Sequence, residues 1–218
     1  MRRKLLSRIG PAAAAMLAAV GAGAAPNTVH RDFDGDTAGA EPAFFRYEGT
    51  PGLPPERWKA IPDAQAFSKS QVGVQTVSKG QPGQFHFALS TQAGEFEDGA
   101  VQAETRSVAR GVAHAGLVAR YVDPSRFIAA LVDFHAQTVT LTSMRDGKAV
   151  ALGSGAIQST EPVWRTVRLE LSGKTIKVSV SGHVAIEAQD PDPRPGRAGL
   201  IAEAPVPVSF DDLEIETK

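Results

Sequence analysis

From about Gln84 onward, apolar residues recur at every second position in short runs, and turn-forming residues separate the runs. Period two marks a strand, because successive side chains of an extended chain point to opposite faces. Val167, Leu169 and Leu171 alternate with Arg168 and Glu170, and Ile176, Val178 and Val180 alternate with Lys177, Ser179 and Ser181. Ser172-Gly173-Lys174 separates these runs, and Ser181-Gly182-His183 leads from the second into Val184-Ala185-Ile186. Glycine supplies the backbone angles that tight hairpins require, so this stretch predicts a meander of three strands. The same pattern predicts strands at Phe85 to Leu89, Ala100 to Ala109, Ala115 to Val122, Phe127 to Phe134, Val139 to Ser143, Arg197 to Glu203 and Val208 to Ile215, with a hairpin turn at Arg145-Asp146-Gly147-Lys148. The sum is roughly ten or more short antiparallel strands, the pattern of an all-β sandwich or barrel. No run after the N-terminal segment holds a helical period long enough for a crossover helix, which argues against a parallel α/β sheet.

Two stretches break the alternation. Thr37 to Pro62 carries Pro42, Pro51, Pro54, Pro55 and Pro62 and reads as irregular chain over a sheet edge, anchored by Trp58. Asp190-Pro191-Asp192-Pro193-Arg194-Pro195-Gly196 reads as a proline-rich loop. Near the C-terminus the apolar parity switches from Val206, Val208 and Phe210 to Leu213 and Ile215. A switch of that kind predicts a bulge or an exchange of faces.

The N-terminus follows a different rule. Arg2, Arg3, Lys4 and Arg8 precede an uncharged stretch of small and apolar residues from Pro11 to Ala25, and Ala22-Gly23-Ala24 offers a small-residue cleavage site. This is the order of a secretory signal, so residues 1–24 are expected to be removed, leaving one domain over 25–218 that is exported to the periplasm or secreted. The apolar stretch falls short of the roughly 20 residues that span a bilayer, so no stable membrane insertion is expected after cleavage. Arg2-Arg3-Lys4-Leu5-Leu6 also resembles a twin-arginine signal.

The chain has no cysteine, which excludes disulfides, thiolate nucleophiles and thiolate metal sites, and leaves stability to the hydrophobic core. With 23 basic and 24 acidic residues it lacks the cationic excess that a nucleic-acid partner requires.

The order of several short motifs resembles a concanavalin A-like family that includes the 3-keto-disaccharide hydrolase-like domains. Phe33-Asp34-Gly35-Asp36 comes first, followed by Trp58 within Arg57-Trp58-Lys59-Ala60. Ala115-Gly116-Leu117-Val118-Ala119-Arg120-Tyr121-Val122-Asp123-Pro124 and Arg126-Phe127-Ile128 form the centre, two strands joined by an Asp-Pro turn. Trp164-Arg165-Thr166-Val167-Arg168-Leu169, Gly196-Arg197-Ala198-Gly199-Leu200 and Phe210-Asp211-Asp212-Leu213 complete the series. The resemblance implies a two-sheet antiparallel jelly-roll sandwich with one sheet facing glycans. Related laminarinase-type glycosidases carry two carboxylates on one strand as Glu-x-Asp-x-Glu, and no such run occurs here. Glu95-Phe96-Glu97-Asp98-Gly99, the nearest acidic cluster, reads as a turn ahead of the next strand.

Six residues are candidates for ligand contact. Gln102, Glu104 and Arg106 share one face of a strand, where a polar stripe can line a glycan groove or simply be wet. Arg120 stands in an otherwise apolar strand; the resemblance favours it for holding a ligand hydroxyl or carboxylate, and the alternative is an ion pair with Glu104 or Asp133. Asp133 and His135 are two apart on one expected strand face, a spacing open to acid–base work or sugar binding. Asp34, Asp36 and Asp212 are candidate ligands of a structural calcium, since related jelly rolls tie the first strand to the last in this way; Thr37 in place of the obligatory glycine excludes an EF-hand.

Three functions stay open: an exported, non-catalytic, lectin-like domain binding a glycan or other saccharide, a glycoside hydrolase-like enzyme acting on disaccharides, and a cell-envelope structural or protein-interaction domain. An aromatic content of 6%, with only two tryptophans that both sit at expected packing positions, leans toward the last.

Overall fold

In a computed structural model, the described residues are 27–53, 58–68, 71–75, 80–107, 114–157, 164–205 and 207–218. The expected leader lies outside them. They contain strands only: β1 (Asn27–Arg31), β2 (Phe45–Gly49), β3 (Trp58–Pro62), β4 (Gln71–Gln75), β5 (Phe85–Ser90), β6 (Gly99–Ser107), β7 (His114–Asp123), β8 (Arg126–Asp133), β9 (Thr138–Arg145), β10 (Lys148–Ala156), β11 (Arg165–Ser172), β12 (Thr175–Val180), β13 (His183–Gln189), β14 (Arg197–Glu203) and β15 (Val208–Thr217). No helix among the described residues is long and apolar enough to cross a membrane.

The strands form two antiparallel sheets. One has eight strands in the order β13-β12-β11-β6-β15-β4-β3, with β1 also paired to β15, and the other has seven in the order β10-β9-β8-β7-β14-β5-β2. The chain is therefore an all-β, two-sheet jelly-roll sandwich. The predicted meander is β11-β12-β13, with Val167 opposite Val180 and Leu171 opposite Ile176.

The alternation read from the sequence becomes the core. Val101 and Ala103 of β6, Val167, Leu169 and Leu171 of β11, and Ile176, Val178 and Val180 of β12 face Leu117 and Ala119 of β7, Ile128, Ala130 and Val132 of β8, and Leu200 of β14 across the space between the sheets. Each fully buried aliphatic side chain of this kind contributes about 1.5–3 kcal/mol by leaving water. Trp58 is closed from solvent against Phe210, ring centroids 5.5 Å apart, so it is the anchor that its position predicts. The stretch read as irregular contains β2, which lies between Pro42 and Pro51, and β3, which ends on Pro62. Ala60 of β3 exchanges backbone hydrogen bonds with Gly39 and Ala40, which covers that sheet edge.

The expected bulge is present in β15, where pairing with β6 shifts between Asp211 and Glu214 and Asp212 takes φ 45°. Phe210, Leu213 and Ile215 consequently all reach the core. On the opposite flank the edge strands β10 and β13 meet. A side chain at Gly155 would stand 2.3 Å from the Ala185 carbonyl oxygen, so glycine is what permits that approach.

Candidate functional site

The outward faces of the two sheets differ. On the eight-stranded sheet, residues between the core positions point outward, and β6, β11, β12 and β13 frame an open groove of about 520 Å³ lined by Gln102, Thr166, Arg168, Glu170, Lys177 and Ser179. Its charges are cross-linked. Arg168 donates from Nη1 and Nη2 to the Glu216 carboxylate at 3.1 and 3.2 Å and from Nε to Glu170 at 3.1 Å, while Lys177 lies 4.0 Å from Glu170. Donors, acceptors and hydroxyls thus alternate along a surface that stays wet, the chemistry needed to meet sugar hydroxyls.

Glu104 lies beside this groove and is 5% exposed. The Thr166 hydroxyl donates to it at 2.5 Å, and its cross-strand partner is Asp211. Burial pushes the Glu104 carboxyl above the ordinary carboxylate range, and Asp212 and Asp211 push it further, against the Thr166 hydrogen bond. Asp211 is raised too, first by burial. Its carboxylate accepts from the Ser68 amide at 2.9 Å and the Ser68 hydroxyl at 3.1 Å, clasping the segment before β4 onto the sheet. Arg106 pairs with Asp63, donates to Gln65 at 2.8 Å, and stacks 4.8 Å from the centroid of the half-buried Trp164 ring. Trp164 is therefore at the surface and outside the core, which corrects its expected packing role.

The seven-stranded sheet carries, on the face away from the main core, a second apolar cluster that is itself closed from solvent: Phe87, Leu89, Val118, Tyr121, Phe127 and Ile201. Phe87 on β5 meets Phe127 on β8 at 5.1 Å across the intervening β14 and β7. The Tyr121 hydroxyl donates to Glu48 at 2.6 Å, and burial together with that carboxylate raises its pKa. Beside this cluster, adjacent strands β8, β7 and β14 align Asp133, His114 and Glu203 in a row. His114 bridges the two carboxylates, through Nδ1 to Glu203 and through Nε2 to Asp133 at 3.1 Å. The Glu203 hydrogen bond leads in pushing the His114 pKa up to about 9, overcoming the opposing effect of burial. Burial works against the charge of Glu203, yet the His114 and Gly83 hydrogen bonds prevail and its pKa falls.

The six candidate ligand residues do not converge. Gln102, Glu104 and Arg106 lie on the outer face of the eight-stranded sheet, with Gln102 lining the groove, whereas Asp133 lies on the opposite outer face of the sandwich. His135 is not on a strand: β8 ends at Asp133, and His135 occupies the exposed turn, donating its amide to Asp133 Oδ1 at 2.8 Å. Arg120 is 3% exposed and committed to structure. It donates to Asp190 at 2.8 Å, to the Gly173 carbonyl at 2.6 Å and twice to the Glu97 carbonyl. Its partner is thus Asp190, in place of Glu104 or Asp133, and four of its five guanidinium N–H donors are engaged by the protein.

The aspartates proposed for calcium are held by protein donors. Asp36 pairs with Arg31, Asp34 Oδ1 accepts the Gln71 amide at 3.2 Å, and Asp212 lies 3.2 Å from His30 Nε2. Among the described residues no three His, Asp or Glu side chains are grouped so that they could hold a metal ion. His114, Glu203, Tyr121 and Trp164 were not selected from sequence; a histidine opening a strand opposite an aspartate closing the next was the available signal for the first.

This arrangement has counterparts among solved structures. Carbohydrate binding module CBM66 from Bacillus subtilis superposes with a TM-score of 0.57 at 14% identity, covering 79% of this chain and 96% of that one. A β-glucanase from Bacillus licheniformis gives 0.57 at 10% identity over 88% and 98%. A Bacillus subtilis protein of unknown function with a galectin-like fold gives 0.53 at 13% identity over 80% and 90%. The shared feature is the two-sheet antiparallel jelly roll. At these identities the likeness is one of fold alone. No family model matches the sequence, and no curated protein matches it.

Proposed function

We propose that the chain is an exported saccharide-binding jelly roll that binds without hydrolysing. The observation that carries this reading is the polar groove of about 520 Å³ on the eight-stranded sheet, where Gln102, Arg168, Glu170 and Lys177 present donors and acceptors along one open surface. The fold it shares with a carbohydrate binding module supports the substrate class, and the signal-like N-terminus supports a place outside the cytoplasm. Titration of neutral oligosaccharides into the chain beginning at Ala25 is expected to give weak saturable binding, and Arg168→Ala or Gln102→Ala to lower affinity about tenfold with an unchanged melting temperature. Full affinity in both variants would remove the groove from consideration.

One observation favours a glycosidase instead. Glu104 is a buried carboxyl with a raised pKa beside Asp211 and next to the groove, which are the attributes of a general acid. The same titrations separate the readings: release of reducing sugar by the wild type, lost in Glu104→Gln, establishes the enzyme, and stable binding with no turnover establishes the lectin-like domain.

A further inference from the structure

A separate pocket lies at the end of the sandwich where the Asp190–Gly196 loop passes the β7–β8 turn and the β9–β10 hairpin. Four guanidinium groups, those of Arg120, Arg126, Arg145 and Arg194, and two carboxylates, Asp190 and Asp192, line it. The two aspartates are held differently. Asp190 is buried, with a side chain 3% exposed, between Arg120 and Arg145. Asp192 is 41% exposed and stands on the loop between Pro191 and Pro193. Its carboxylate accepts from Arg126 Nη1 at 3.2 Å and from Arg194 Nε at 3.3 Å, with Arg194 Nη2 at 3.2 Å. Asp146, the other acidic neighbour of Arg126, lies 3.8 Å away and is 88% exposed.

The geometry points to an anion subsite in this pocket that takes the carboxylate or sulfate of an acidic saccharide, with Asp192 as its built-in competitor. Guanidinium forks match planar and tetrahedral oxyanions in two-point contacts, so the groups that hold Asp192 are suited to a ligand acid of the same shape. Exposed ion pairs contribute about 0–1 kcal/mol, so a carboxylate held as Asp192 is held can be displaced. With Asp192 in place the cavity is only about 20 Å³, room for about one water molecule. Removing its charge weakens its hold on the Arg126 and Arg194 forks, so that a ligand anion can turn the neutral side chain of this exposed loop aside and take its place beside Arg145, whose side chain is 25% exposed. The Asp190 pair stays intact below them, so the pocket keeps its shape. Arg126 first and then Arg194 hold the Asp192 carboxyl below its ordinary pKa, which favours its charged form and agrees with a cationic surround.

The experiment uses the chain beginning at Ala25 and its Asp192→Asn, Arg126→Gln/Asp192→Asn and Arg194→Gln/Asp192→Asn variants, titrated with sodium sulfate against sodium chloride at matched ionic strength, and with a hexuronate oligosaccharide against its neutral counterpart. Asp192→Asn is expected to bind sulfate and hexuronate about tenfold more tightly than the wild type, and each double variant to lose that gain. A response to sulfate alone assigns a free oxyanion site, and a response to both assigns the acidic saccharide. Equal affinities in Asp192→Asn and wild type, or tight binding that survives in the double variants, would overturn the subsite. Neutral saccharide binding in the groove, read by Arg168→Ala, is independent of either result.

Discussion

Arg120→Ala is expected to lower the unfolding free energy by about 3 kcal/mol, because it strands a carboxylate that solvent cannot reach. Asp190 would keep Arg145 and the Asp192 amide but lose its buried cation, and the Gly173 and Glu97 carbonyls would lose their donor. Arg120→Met, which keeps much of the aliphatic stem, is expected to lose nearly as much, since the charge and its hydrogen bonds dominate. Denaturant unfolding of the three proteins checks this. A loss under about 1 kcal/mol in both variants would mean that Asp190 is solvated or protonated once alone.

Stability is also expected to fall as pH rises from about 6.5 through about 9. His114 gains its charge-dependent partners only on folding, so its folded pKa of about 9 exceeds the ordinary value of 6.5. A raised pKa means that the folded state holds the proton more firmly. The contribution is complete below the unfolded pKa and disappears as pH passes the folded one. The side chain is 32% exposed, so solvent screening reduces the full linkage value to about 1–2 kcal/mol. Melting temperatures between pH 6 and 10 should therefore decline in the wild type and stay flatter in His114→Gln. At the acid end, Glu203 and Asp133 have depressed folded pKa values, and their contribution is lost as pH falls through those values. Parallel slopes for wild type and variant would show that the Asp133–His114–Glu203 row is not coupled to folding.

The parts of this molecule that the sequence discloses are those governed by local periodicity. Strands such as β11 and β12 have one face in the core and one in water, so the parity of Val167, Leu169 and Leu171 states which is which. β10 was missed because it lies on an edge, largely exposed, and its Ala, Gly and Ser residues carry no alternation. β2 was missed because Pro42 and Pro51 suggested irregular chain when they only bracket a strand. The candidate site depends on contacts of another range. The outward placement of Gln102 follows from strand parity alone. The partner of Arg120 is 70 residues away and that of His114 is 89 residues away, and nothing in a strand pattern fixes which distant carboxylate the topology delivers. His135 failed for a local reason: Asp133 accepts the amides of His135 and Ala136 and ends the strand there.

β15 has a consequence for how the chain comes to be folded at all. It is hydrogen-bonded to β6 on one side and to both β1 and β4 on the other, so the earliest strand and the latest meet in the middle of one sheet. Until residue 217 has been synthesised, β1 has no neighbour, β6 has one open edge, and Val101 and Trp58 lack the layer supplied by Phe210, Leu213 and Ile215. Closing that sheet spans nearly the whole described chain, a topology that makes folding slow and late. The last strand thus acts as the keystone of the eight-stranded sheet, which cannot be completed from any shorter piece of the described chain.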